Sequence, residues 1–319
     1  MGVKGHWGVF RGVRVTTGDT GQDDGLGVFT EELFAPMART DQRAKARLYV
    51  RGLLTGEGRK SMLTMAERLH VDYQSLQQFM TSSTWDVAAV RERLARRAVD
   101  VVSPIAWALG TTEFVKDGVE SACVARQYAP GAGRPLNCQL AVTVHMVSAA
   151  ASAVANWRLF IPAEWDLVAT PAETTRRRRR RCRVPDDQRY RPQWMLALEM
   201  LDELAGWGLR PPLVVAGPGF GDVTDFRSAM VARGWPYLVQ VNGKTMVNGQ
   251  RPRGLPVDLS VVGRWLTAAG DRTRRDFAVL KDRFGLNHFE GRTWIGWNRH
   301  VTLASTAYLF DTARRAVVA

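Results

Sequence analysis

The stretch Phe284-Gly285-Leu286-Asn287-His288-Phe289-Glu290-Gly291-Arg292-Thr293-Trp294, followed by Gly296-Trp297 and Arg299-His300, lies between two helical patterns, Arg272–Phe284 and roughly Trp297–Arg315. His288 and Glu290 within it make a weak metal pair and read better as structural parts of the stretch. Upstream, Tyr237–Val241 and Leu213–Ala216 read as strands, with helices at Val223–Arg233 and Gln193–Leu204. Further upstream, Ala122–Tyr128, Leu140–Val147 and Ala153–Ile161 are strand-like, and Ile105–Leu109 is a short apolar run. Val142 and Val144 keep the two-residue alternation of a strand. Strands first, then alternating helix and strand, is the order of an α/β sheet.

Residues 27–103 read instead as an all-helical domain. Leu48, Val50, Leu53 and Leu54 begin an apolar face, and a helix over Ser61–Leu69 breaks at His70-Val71-Asp72. Asp72 is placed to cap a second short helix running from Tyr73 to about Met80. Two short helices across a tight break suggest a helix-turn-helix, whose second helix would present Gln74, Ser75, Gln77 and Gln78. A glutamine amide pairs with adenine in a major groove; the alternative is an ordinary helical hairpin facing water. A further helix, Val87–Val102, carries Arg91, Arg93, Arg96 and Arg97. Residues 1–26, rich in Gly, Thr and Asp, read as weakly ordered apart from a short strand at Trp7–Val15.

The chain has 44 Lys and Arg against 31 Asp and Glu, a net charge of +13. That surplus points to a polyanion, nucleic acid first, with an inert basic surface as the alternative. Arg176, Arg177, Arg178, Arg179, Arg180 and Arg181 are consecutive, and like charges so dense are expected to extend the chain as a phosphate-tracking loop or a solvated run. The 3 cysteines, Cys123, Cys138 and Cys182, lack metal-site spacing and argue for a reducing compartment. No apolar run is long enough to span a membrane and no signal-peptide core is present, so the cytoplasm is the expected location. Gly217-Pro218-Gly219-Phe220-Gly221 follows a strand but lacks the Lys-Ser/Thr of a phosphate-binding loop.

Phe284–Trp294 with its following Gly-Trp and Arg-His pairs resembles a C-terminal signature of bacterial insertion-sequence transposases of the DDE, RNase-H-like superfamily, departing in its core only at Asn287. Val124-Ala125-Arg126-Gln127-Tyr128 and Asn137-Cys138-Gln139 resemble two further segments of that family. So do Arg158-Leu159-Phe160-Ile161-Pro162 with Trp165, and Tyr49-Val50-Arg51-Gly52-Leu53-Leu54 with Arg59-Lys60. The likeness runs in order from about residue 29 to 315. It implies a mixed RNase-H-like sheet flanked by helices over 104–319, preceded by the helical domain. Its signature residues here are Arg126, Gln127, Tyr128, Asn137, His288, Glu290, Arg292 and His300.

Family chemistry needs two Asp at strand ends and a Glu on a late helix, which together hold two divalent metals, Mg²⁺ or Mn²⁺. Aligning the family's segments puts the first Asp at Gly110, with Thr111 beside it, and the second at Gly217. Counting back from Phe277, Leu280 and Lys281 puts the Glu at Arg274, where Thr273 and Arg275 are no more acidic. Glu113 is expected to point to the other sheet face, Asp222 to cap the next helix, and Asp276 to face elsewhere on its own. The insertion that relatives carry between the second Asp and the Glu is largely missing between Tyr237 and Arg272.

The resemblance therefore implies a duplex-DNA-binding protein without DDE catalysis, metal or cofactor, acting as a regulator or repressor. The alternatives are an active or residual DDE-type transposase or nuclease, a transposase scaffold reused for other enzymatic chemistry, and a decayed gene product. Candidate DNA contacts are Arg59, Lys60, Gln74, Gln77 and the six consecutive arginines. Transposases often work as dimers, but no heptad or repeat points directly to a homodimer here.

Overall fold

The computed structural model describes residues 19–242 and 259–318, with side chains at 25–242 and 267–316. The strand expected at Trp7–Val15 lies outside the described residues. The first helix, α1 (Asp19–Phe34), begins within the segment read as weakly ordered. Leu26, Phe29 and Leu33 recur at helical spacing and are buried, an apolar stripe that the Gly- and Asp-rich composition obscures.

Local signals explain the next helices. α2 (Thr40–Leu54) buries Ala46, Tyr49, Val50 and Leu53. α3 (Met62–Leu69) starts where the Ser61 hydroxyl accepts the Thr64 N–H, and ends at His70 in the left-handed region, φ 53°. α4 (Tyr73–Thr81) starts where the Asp72 carboxylate accepts the N–H groups of Gln74 and Ser75. α5 (Val87–Val102) is capped by Asp86. α3 and α4 are thus a helix pair across a tight turn, with Gln74, Gln77 and Gln78 exposed and Leu76, Phe79 and Met80 buried.

The sheet is built on β3 (Arg134–Val147), which pairs antiparallel with β1 (Ala106–Val115) along one edge. Its other edge is shared by β2 (Ala125–Ala129) and β4 (Ser152–Leu159), both antiparallel. On the far side β1 pairs in parallel with β5 (Val214–Ala216), and β5 with β6 (Tyr237–Val239). An antiparallel meander extended by two parallel strands, in the order β4-β3-β1-β5-β6, is an RNase-H-like mixed sheet.

Around it lie α6 (Glu173–Cys182), α7 (Gln193–Gly206), the short α8 (Pro218–Gly221), α9 (Thr224–Ala232), α10 (Leu259–Asp282) and α11 (Trp294–Val318). α11 is the spine of the molecule, packing on α2, α4 and α5 as well as β4. One apolar core accordingly runs from Leu33 and Tyr49 through Trp157 to Trp297 and Leu309, so the N-terminal helices and the sheet share their interior. No helix among the described residues is long and apolar enough to cross a membrane.

The arginine run corrects its expectation: it is not extended but forms most of α6. Arginine is a good helix former, and the repulsion is relieved by acids at the helix's own start and on neighbouring segments. Glu173 meets Arg176 and Arg180, Glu164 meets Arg178, and Glu120 meets Arg181. Arg179 is buried and donates to the carbonyls of Trp165, Pro185 and Gln188 at 2.8, 2.6 and 2.8 Å. Arg91 of α5 is likewise buried, bonded to Thr302, Asn298 and the Trp157 carbonyl.

Candidate active-site cleft

β1 and β5 lie in parallel register, with Trp107 opposite Val214 and Ala108 opposite Val215. Gly110 stands two residues further along β1, and Gly217 directly follows the last residue of β5, so both lie towards the same end of the sheet. α10 crosses this end of the sheet. Gly110, Gly217 and Arg274 all border one cleft of about 1250 Å³. The positions assigned from the sequence therefore converge.

The α10 face lining the cleft carries Ala269, Gly270, Thr273, Arg274, Phe277, Ala278 and Lys281. None is acidic. A Cβ at Gly110 would stand 2.8 Å from both Thr273 Cγ2 and Thr143 Oγ1, whereas one at Gly217 meets nothing within 4 Å. Thr273, rather than Arg274, thus lies directly over Gly110.

Among the described residues, the charged ones bordering the cleft are Glu113, Arg274 and Lys281. Glu113, expected to turn away, reaches it all the same. Its carboxylate accepts from Lys281 Nζ at 2.9 Å and from the Gly131 N–H at 3.0 Å. Burial acts to raise the Glu113 pKa, but those two donors outweigh it and hold the carboxyl below its usual range. The long glutamate side chain carries its charge round the strand to an ammonium fixed on α10, and strand alternation alone does not anticipate that.

The other nearby acids are engaged elsewhere. Asp222 does not cap α9, whose N-cap is Val223; it accepts from the Asn242 backbone at 2.7 Å. Asp276 is buried on the far side of α10, accepting from Ser152 and Tyr308 hydroxyls at 2.6 Å each, with His145 Nδ1 at 2.9 Å. Among the described residues no cluster of three or more His, Cys, Asp or Glu is arranged to hold a metal. A pair of Mg²⁺ ions needs several anionic oxygens at close range, and one carboxylate already tied to a lysine does not fit that requirement.

The signature stretch before α11 joins the helices to the sheet. Tyr49 Oη lies 2.9 Å from His300 Nδ1, and His300 Nε2 lies 3.1 Å from the Leu286 carbonyl. A carbonyl only accepts, so the proton sits on Nε2 and Nδ1 accepts from the tyrosine. Burial pushes His300 down to about 4. His288 Nδ1 accepts the Lys60 N–H at 2.9 Å, and Glu290 pairs with Arg59. This pair is therefore engaged in tying the α2–α3 connection to the segment between α10 and α11. Burial together with the charges of Arg59 and Lys60 lowers the His288 pKa. The Asn137 side chain donates to the carbonyls of Lys116 and Gly118, closing the loop after β1, and Arg292 O accepts from Ala122 N.

The candidate DNA contacts divide sharply. Gln74, Gln77, Arg59, Arg176, Arg177, Arg180 and Arg181 are exposed. Lys60 is buried, its ammonium 2.5 Å from the Thr55 and Gly56 carbonyls, and burial with the charge of Arg68 pushes it down to about 8. Together with Arg179 it supports the fold and offers no exposed charge. Arg126 and Tyr128 are exposed on β2, Tyr128 at the cleft's rim, while the Gln127 amide donates to Cys138 O at 2.8 Å.

A mixed sheet with a cleft at the ends of β1 and β5, bordered by a late helix, is an RNase-H-like architecture. The sequence model of the DDE superfamily endonucleases matches residues 32–296, and the chain belongs to that family. A comparison with curated proteins gives no match.

Proposed function

We propose that this chain binds double-stranded DNA without cutting it, as a regulator or a repressor of a related element. One observation carries the reading. The three positions that would gather metal ligands border a single cleft, and they are Gly110, Gly217 and Arg274 with Thr273 beside it. Glycine has no side-chain oxygen, and a guanidinium repels a dication. Family membership makes DNA the natural partner. The +13 charge and the exposed α4 and α6 residues supply the electrostatic and groove-reading parts of such an interface.

Two assays test this. Gel-shift titration over a salt series should give duplex binding that weakens steeply with salt, and no shift of any duplex at low salt would remove the reading. Incubation with supercoiled DNA and Mn²⁺ should leave the DNA intact; nicking would instead establish a retained nuclease. Sedimentation of the complex distinguishes a monomer from a homodimer on the DNA.

A further inference from the structure

We propose that the cleft takes a single nucleotide unit, an aromatic base carrying a phosphate, without any divalent cation. The inference goes beyond duplex binding and rests on different residues. Three features of the cleft support it.

The first is charge. Glu113 and Lys281 neutralise each other across 2.9 Å, which leaves Arg274 as the charge that, among the described residues, has no partner on the cleft wall. Arg274 does pair with Asp271 one turn earlier. That pair is solvent-exposed, at 74% and 45%, and a phosphate can displace so weak a partner. The planar fork of arginine matches two phosphate oxygens at once.

The second is the wall itself, which is mostly apolar: Leu109, Leu140, Phe160 and Phe277 line it, and Tyr128 stands 59% exposed at the rim. An exposed aromatic ring over an apolar cleft is a surface on which any base can stack. The third is hydrogen bonding. Gln193 and Gln240 also border the cleft. Each offers a donor and an acceptor, as a base edge requires. At about 1250 Å³ the space admits a nucleotide comfortably.

Such a unit comes either as a free mononucleotide or as the terminus of a single strand. The full-length protein in EDTA is titrated with fluorescently labelled deoxyadenosine monophosphate and, separately, with a labelled short single-stranded oligonucleotide. Saturable binding of the mononucleotide assigns the free ligand, and saturation by the oligonucleotide alone assigns a strand terminus. Arg274→Glu should weaken that binding by about tenfold or more, with Arg274→Lys retaining part of it. Neither change should alter duplex binding. Conversely, replacing Arg176, Arg177 and Arg180 by Ala should impair duplex binding and spare the nucleotide, so the two readings fail separately. The proposal is overturned if neither probe saturates in EDTA, if binding appears only with Mn²⁺, or if Arg274→Glu binds as the parent does.

Discussion

The methyl group of Thr273 stands 2.8 Å from where Gly110 would carry a Cβ. The Thr273 hydroxyl donates to the Ala269 carbonyl at 3.0 Å, which fixes the rotamer and holds the methyl against β1. On the other side Thr143 Oγ1 is equally close to that point and is held 3.0 Å from His145 Nε2. The space that an aspartate at 110 would occupy is already filled from both sides, so the loss of the acid and the packing around it form one consistent arrangement.

Restoring the acids should therefore be unequal in cost. Gly110→Asp overpacks a closed site and should lower stability by about 1–3 kcal/mol. Gly217→Asp enters open space and should stay within about 0.5 kcal/mol of the parent. Adding Thr273→Ala to Gly110→Asp should recover part of the loss, a non-additive coupling between touching residues. Urea denaturation of the parent, the two aspartate variants, Thr273→Ala and the Gly110→Asp/Thr273→Ala pair reads this directly. Equal losses for the two aspartates would show that the Gly110 site is not filled as described.

How much of this was legible beforehand depends on how local each cause is. The breaks around α3, α4 and α5 were readable because Ser61, Asp72 and Asp86 act within three residues of themselves. The convergence of Gly110, Gly217 and Arg274 was readable only through family resemblance, since strand pairing brings distant residues together. The helix at Arg176–Arg181 was missed because the acids that quiet it include Glu120 and Glu164, outside the run. Lys60 read as a surface cation, yet it caps carbonyls of the preceding loop, and nothing in its immediate neighbours signals burial. The Glu113–Lys281 pair spans 168 residues and follows from the path of α10 over the sheet.

The His300 latch should make stability depend on pH. Its folded pKa, about 4, lies below the unfolded value of about 6.5, so the unfolded chain binds the extra proton first. Its contribution is complete above about pH 6.5 and is lost as the pH falls toward 4, a change on the order of 3 kcal/mol. Tyr49→Phe, which leaves His300 Nδ1 without its donor, should cost about 1–3 kcal/mol at neutral pH. Denaturation midpoints measured from pH 8 to pH 4 check both; an unchanged midpoint for Tyr49→Phe would mean the hydrogen bond does not tie α2 to α11.

Lys281→Met should strand the buried Glu113 with only the Gly131 N–H for a partner. The cost should be about 1–3 kcal/mol at neutral pH. The folded pKa of Glu113 is held below its usual value, so the pair's contribution is present above the unfolded carboxyl range and fades as pH falls through the folded value. In Lys281→Met that part of the acid sensitivity should disappear. Comparing the slopes of unfolding free energy below pH 5 decides it: matching slopes in parent and variant would mean that Lys281 does not set the charge state of Glu113.

The arginines of α6 should separate into two kinds by experiment. Arg176 and Arg180 are one helical turn apart and share Glu173 in exposed ion pairs, while Arg177 is exposed beside them. Such pairs are weak in water, so a phosphate backbone can compete for all three. Each should carry about 0.9 of the slope of log affinity against log salt, and replacing all three by Ala should reduce that slope by about 2.7 for every duplex tested. Arg179→Ala should act differently. It leaves the Trp165, Pro185 and Gln188 carbonyls without their donor and should cost about 3 kcal/mol or more in stability. Gln74→Ala and Gln77→Ala should shift preference among sequences while leaving the salt slope unchanged, because an amide reads base edges and neutralises no phosphate. If Arg179→Ala folded normally and lost DNA alone, the division between supporting and phosphate-facing arginines would be wrong.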